Sequence, residues 1–324
     1  MIDINDIWDK QRSTGEIIIK TRVSEITQVD CFIATNSITK QYLFMMYISD
    51  NIVIPTLKNY RFKGVEVYVV PNDGKKEFFI YLLDDDLKDI FSLFIQNVLE
   101  AIQKCSTEKQ VIEATLNIIT KWKKLFDKIS RDKLTVEEEK GLIGELLFLN
   151  SLLDDDKTKE NAINYWTSME PDFQAKDFII KGLGIEIKFS TANQPKIRIA
   201  NEKQLDSEYL EKLFLLLYVA EVVKENGFSL NSIVQQIRQK LLLKEQLDLF
   251  NAKLQLKGYL DRDMDMYNNR YSLRDMSVFE VTSDFPKIVK LHLPIGIYDV
   301  SYLIEISAIG NYKVNFEDIF LKIQ

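Results

Sequence analysis

The chain has 324 residues, 46% of them hydrophobic and 28% charged, with a formal net charge of −7. That length suits one large domain or two modest ones, and that composition suits a soluble globular protein rather than a disordered or fibrous one. Two cysteines far apart, Cys31 and Cys105, exclude a CxxC zinc framework and a disulfide scaffold, and a single histidine, His292, excludes a histidine-based zinc site within one chain.

The chain has no GxxxxGK(S/T) phosphate loop and no GxGxxG. Metal chemistry would therefore rest on carboxylates, which favour hard cations such as Mg²⁺ or Mn²⁺. The longest apolar run, Leu213 to Val223, contains Tyr218 and Glu221 and reads as a buried strand rather than a membrane span. The acidic start, Met1 to Trp8, lacks the basic and apolar regions of a signal peptide, so a cytoplasmic location and no membrane partner are expected.

In chain order, residues 1–86 read as a β-rich domain. Gly15–Val23, Gln28–Ala34, Gln41–Ser49 and Gly64–Val70 are runs of Ile, Val, Tyr, Phe and Thr separated by turn residues. Pro71-Asn-Asp-Gly74 before Glu77–Leu82 signals a hairpin. Residues 87–133 read as connecting helices, from Leu87 to Lys104 and from Thr107 to Ile129, the first preceded by acids that suit a helix N-terminus. Residues 134–324 form the third segment. Thr135-Val-Glu-Glu138 has capping-box form and opens a helix to about Leu153. Strands are expected at Lys176–Ile180, Gly184–Ser190, Lys196–Ala200 and Lys212–Val223, with a short helix at Gln204–Leu210. Asn231–Tyr259 reads as helical, and a β-rich tail from Tyr267 to Ile306 holds His292 in a strand-like run.

Chemistry concentrates in the third segment. Lys176 to Lys203 carries six Lys/Arg and three acids, a net +3 inside an acidic protein. Pairing Ile180 with Ile185 about the turn Lys181-Gly-Leu-Gly184 would set Asp177 opposite Lys188 and Ile179 opposite Glu186, with Asp177, Glu186 and Lys188 on one face. An ordinary cross-strand salt bridge has the same pattern. On the helix, Leu142, Leu146, Leu149 and Leu153 form an apolar stripe that includes Glu145. A carboxylate there needs a partner or a metal, unless its head reaches water at the rim. Gly141 and Gly144 beside it allow close approach. Three carboxylates and a lysine at one place would suit phosphodiester hydrolysis assisted by divalent cations, with no histidine required.

Asp177 followed by Glu186-Ile187-Lys188, with Glu145 on the preceding helix, resembles the signature of the PD-(D/E)XK nuclease superfamily. More narrowly, "GLIGELLFLNSL", Trp166, "KDF", "IEIKFST", "KIRIANEKQL", "FPKI" and "LPIGIYDVSYLIEI" together resemble PD-(D/E)XK motif proteins of bacterial restriction and phage-defence gene clusters, over most of Trp8 to Ile306. The resemblance implies an α/β fold: a restriction-endonuclease-like core, a mixed sheet flanked by helices, joined to the N-terminal β-rich domain and the connecting helices. It implies Asp177, Glu186 and Lys188 as catalytic residues and Glu145, Asp177 and Glu186 as ligands of Mg²⁺ or Mn²⁺. Gln204 and Ser190 are secondary candidates. The literal Pro171-Asp172 makes Asp172 an alternative acidic ligand, although Asp177 suits the hairpin face better. The implied activity is a metal-dependent DNA endonuclease of a restriction or defence system, acting on DNA with other subunits or as a homodimer. The alternatives are a catalytically silent DNA-binding or assembly subunit and a nuclease acting on RNA or branched DNA.

Overall fold

The computed structural model describes residues 3–11, 16–23, 28–55, 60, 62, 64–129, 133–167, 176–193 and 196–321. The chain folds as two compact units, Met1–Lys133 with Leu243–Asp263, and Leu134–Leu242 with Met264–Gln324. Among the described residues no helix is long and apolar enough to cross a membrane.

The first unit opens with a helix absent from the sequence reading, α1 (Ile4–Lys10), capped by Asp3, whose carboxylate accepts from the Asp6 N–H at 2.8 Å. Strands β1 (Ile18–Val23), β2 (Cys31–Asn36), β3 (Tyr42–Ser49), β4 (Val65–Asn72) and β5 (Lys75–Leu82) form an antiparallel sheet in the order β1-β2-β3-β5-β4. Asp73 (φ 42°) and Gly74 (φ 75°) close the β4–β5 hairpin as a two-residue turn with both central residues left-handed, the type whose twist matches that of the strands. Phe44, Met46 and Ile48 of β3 and Phe78, Ile80 and Leu82 of β5 alternate into the core. Helices α2 (Lys88–Ile102) and α3 (Glu108–Ile129) add Phe94, Trp122 and Phe126, whose rings pack on one another.

The second unit holds α4 (Val136–Asp154), whose N-terminus carries the expected capping box between Thr135 and Glu138. After α5 (Ala162–Tyr165) come β6 (Phe178–Ile180), β7 (Leu183–Ser190), β8 (Lys196–Ile199), β9 (Lys212–Val223) and α6 (Leu230–Lys240). Helix α7 (Lys244–Leu256) belongs to the first unit, and β10 (Arg270–Glu280), β11 (Tyr302–Glu305), β12 (Lys313–Val314) and α8 (Glu317–Leu321) complete the second. The main sheet runs β12-β10-β9-β7-β6, with β7 and β9 parallel and every other pair antiparallel. The fold is therefore mixed α/β: an N-terminal antiparallel sheet and a mixed sheet with helices, consistent with a restriction-endonuclease-like core.

Alternation along β7 sets the two sides of that sheet apart. Ile185, Ile187 and Phe189 face α4, where a Cβ added to Gly144 would lie 3.1 Å from Ile187 Cγ2 and 3.3 Å from Phe189 Cβ. Glu186, Lys188 and Ser190 face the other way, toward the ribbon formed by β8 and β11. There Leu213, Leu215 and Leu217 of β9 pack with Ile197, Ile199 and Ile304 in one buried cluster.

Three local expectations are corrected. Gln204–Leu210 forms turns, not a helix, because Asn201 and Asp206 accept the N–H groups of Lys203 and Glu208 and so compete with helical bonding. The run around His292 is a 3₁₀ turn, Lys290–His292, with His292 exposed, rather than a strand. The hairpin register is two residues shorter than expected: Phe178 pairs with Ile185 and Ile180 with Leu183. Lys181 (φ 48°) and Gly182 (φ 86°) suffice to make a two-residue turn. A two-residue shift keeps every side chain on its face, whereas a one-residue slip would not.

Candidate active site

Short β6 positions Asp177. Its strand begins at Phe178, so the Ile187 N–H beyond it meets no strand partner and is taken instead by Asp177 Oδ2 at 2.7 Å. The Asp177 backbone is held on both sides: its N–H donates to the Ile185 carbonyl at 3.1 Å, and its carbonyl accepts from the Thr167 N–H at 2.9 Å. Continuing the observed register sets Asp177 opposite Glu186, rather than opposite Lys188.

Glu186 sits in the middle of β7 with neighbours on both sides and is 1% exposed. Its Oε1 accepts from Lys188 Nζ at 2.7 Å, while its Oε2 is buried with no hydrogen-bond partner among the described residues. Burial, then repulsion by Asp177, pushes the Glu186 carboxyl well above its ordinary range, against the opposing pull of Lys188 and Lys176. Lys188 is governed by the same balance with the opposite sign. Burial alone would lower it, but Glu186, Asp177 and Glu145 together hold it above the usual lysine value, so it stays charged.

Gln204 reaches the site from the turn after β8. Its Oε1 accepts from Lys188 Nζ at 3.3 Å and from the Ala200 N–H at 2.6 Å. Glu145, in the buried face of α4, accepts from the Trp166 Nε1–H through its Oε2 at 2.6 Å. Ser190 ends β7, where its hydroxyl accepts from the Ala192 N–H at 3.2 Å. Glu145, Asp177, Glu186, Lys188, Ser190 and Gln204 all line one open cavity of about 500 Å³, together with Lys196 and Arg198 of β8. Asp172 lies outside the described residues.

Two residues gain importance that the sequence reading did not assign. Lys176 is buried and donates to the Lys203 carbonyl. Burial lowers it, while Glu186, Asp206 and Asp177 oppose that fall. Trp166, quoted only as part of a motif, is wholly buried and holds Glu145. Nothing local marks either role: Lys176 stands in an ordinary strand entry, and only folding removes it from water.

Among the described residues no three His, Cys, Asp or Glu side chains are gathered as a ready set of metal ligands. The donors present nonetheless fit a hard cation. Glu186 offers a buried carboxylate oxygen with no other partner, and Asp177 stands close enough to repel it. A cation between two such carboxylates relieves both the missing partner and the repulsion, and Mg²⁺ commonly takes only one or two protein carboxylates, completing its shell with water and substrate oxygens.

No curated protein and no solved structure matches the chain. A family model described as "Putative PD-(D/E)XK family member, (DUF4420)" matches residues 4–307. That span holds the N-terminal sheet, every strand of the main sheet except β12, the hairpin with its acid and Glu-x-Lys pair, and the apolar helix bearing Glu145, and on this match the chain is a member of that PD-(D/E)XK family.

Proposed function

We propose that this protein is a divalent-metal-dependent endodeoxyribonuclease, hydrolysing phosphodiester bonds in a bacterial restriction or phage-defence system. The observation that carries the reading is Glu186: a buried carboxylate with one oxygen unpaired, set between Asp177 and Lys188 on a cavity open to solvent. Asp177 and Glu186 would hold Mg²⁺ or Mn²⁺, with Glu145 as an auxiliary ligand. When bound, such an ion supplies charge stabilisation at the phosphate and a lowered pKa for water.

The chain's own residues account for the rest. Lys188 stays protonated, so it serves as a donor and a positive charge toward the phosphoryl oxygens rather than as a general base. Gln204 is a second acceptor for the Lys188 ammonium, beside Glu186. Arg198 and Lys196 stand at the cavity rim, where they suit flanking backbone phosphates. In the reaction a water oxygen attacks phosphorus and releases a proton to solvent, the bond to the leaving oxygen breaks with its electron pair, and that oxygen takes up a proton from solvent.

One observation favours a catalytically silent DNA-binding or assembly subunit: Glu145 Oε2 is occupied by the Trp166 indole N–H. One experiment separates the readings. Purified protein is incubated with plasmid, linear and branched DNA and with RNA in Mg²⁺ or Mn²⁺, beside Asp177→Asn and Lys188→Met. Cleavage by the wild type that both substitutions abolish, with folding intact, supports the nuclease. Equal cleavage by both variants overturns these residue roles. Salt-sensitive DNA binding without cleavage selects the silent subunit.

A further inference from the structure

The segment from Pro286 to Tyr298 is not used by the reading above, although its sequence stands out. It exposes Leu291, Ile295, Ile297 and Tyr298, with Leu291 at 90%, Tyr298 at 80% and Ile295 fully in solvent. Four large apolar side chains displayed together on one loop cost solubility unless they meet something. The loop is a built structure. The Tyr302 hydroxyl accepts from the Ile288 N–H at 3.1 Å, and Glu202 Oε2 accepts from the Val300 N–H at 3.0 Å, tying the ends of the loop. At the tip, the Ile297 N–H bonds the Pro294 carbonyl at 3.1 Å, and Gly296 takes φ 88°. That is the left-handed backbone a type II turn requires at its third residue, and it holds Ile295 outward.

The loop is rooted beside the candidate active site. Strand β11, which follows it, pairs with β8 so that Leu303 lies opposite Arg198 and Tyr302 opposite Ile199. Arg198 lines the cavity, and Leu303 continues the exposed apolar surface next to it. Lys287, at the other root, lies close enough to Lys176 to oppose its charge, and Lys188 acts on the Tyr302 phenol. From Pro286 to Tyr298 the segment contains Lys287 and Lys290 and no acid, with Asp284 and Asp299 just outside it.

Apolar tips on a loop carrying Lys287 and Lys290, next to a phosphate-handling cavity, match one ligand chemistry: nucleic acid, with its backbone met by the cations and its bases by the apolar side chains. Proteins that deform DNA insert Leu, Ile or Pro wedges between base steps and recover the unstacking cost through added contacts. We infer that the loop from Pro286 to Tyr298 is an apolar wedge that unstacks bases of the nucleic acid lying in the cavity. The inference rests on the nucleic-acid reading of that cavity, and it adds a substrate requirement. Strands that open easily, at junctions, mismatches or flexible steps, are preferred over stiff duplex.

The test uses the full chain in EDTA, which permits binding without cleavage, with duplexes carrying 2-aminopurine at successive positions. The wild type raises 2-aminopurine emission at one or two adjacent positions. Leu291→Ser/Ile295→Ser/Tyr298→Ser abolishes the rise and weakens binding about tenfold, while Val222→Ser, an exposed apolar position on β9, changes neither. Wild-type binding and metal-dependent cleavage with unchanged emission at every position overturn the wedge and leave the nuclease reading standing. Failure of the wild type to bind any nucleic acid overturns both. A wild-type dimer in sedimentation that the triple variant converts to monomer makes the loop a protein interface and likewise overturns the wedge.

Discussion

Removing the charge of Lys188 should cost far more than removing that of Glu186, although the two form one ion pair. Lys188 Nζ lies 2.7 Å from Glu186 Oε1, with the lysine side chain 18% exposed and the glutamate 1%. Unit charges at about that separation attract by roughly 6 kcal/mol at an effective dielectric of about 20, much of it offset by the desolvation of both groups. Lys188→Met strands Glu186, already short of one partner and repelled by Asp177. Breaking a buried pair in this way costs about 3–5 kcal/mol. Glu186→Gln leaves a lysine that retains Gln204 and some access to water, and costs about 1 kcal/mol. The double variant keeps most of the Glu186→Gln stability, a coupling of about 3–5 kcal/mol. Hydrogen exchange of the β7 and β9 amides without metal, at a pH above the raised Glu186 value of about 8 so that the pair is ionised, reads these values in the second unit directly. Additivity within about 0.5 kcal/mol would refute the electrostatic account.

Four further outcomes follow from the same packing. Glu139 is buried with Oε1 unpaired, and burial raises its pKa against the opposing effects of Asn269 and Lys140. The folded state therefore holds a proton the unfolded chain has released. This group's contribution to stability falls as pH rises from near 4.5 through the raised folded value, and Glu139→Gln flattens that fall in thermal melts. A Cβ at Gly141 meets nothing within 4 Å, so Gly141→Ala stabilises α4 by about 0.5–1 kcal/mol. Gly144→Val presses on Ile187 and Phe189 and destabilises by about 1–3 kcal/mol, read by urea titration. Trp166→Phe removes the donor to Glu145 Oε2 and costs about 1.5–3 kcal/mol by the same titration, since the acceptor is a carboxylate.

Local signals in the sequence were enough for much of the fold. Strand β9 was legible end to end as an apolar run, and the start of α4 as a capping box, because each is set by residues within a few positions. Face assignment on β7 was equally legible: alternation alone puts Glu186 and Lys188 together, and no register shift of two residues can separate them from Asp177. The α1 helix was missed because its cap is a single Asp3 contact and its stability comes from burying Ile4 and Trp8. The Gln204 helix was misread because side-chain bonding to nearby N–H groups outcompeted the helix pattern.

What the sequence by itself determined is which residue types stand at which spacing: an acid, a Glu-x-Lys on a strand and a glutamate in an apolar helix face, with His292 the single histidine and far from them in sequence. Tertiary structure alone decided their electrical state and their company. Only the fold buries Glu186 with an oxygen unpaired, brings Gln204 from a turn to Lys188, and gives Glu145 to Trp166. The reason is physical: spacing along a strand fixes direction within a few ångströms, whereas desolvation and charge coupling depend on every segment that closes over a group, however distant in sequence.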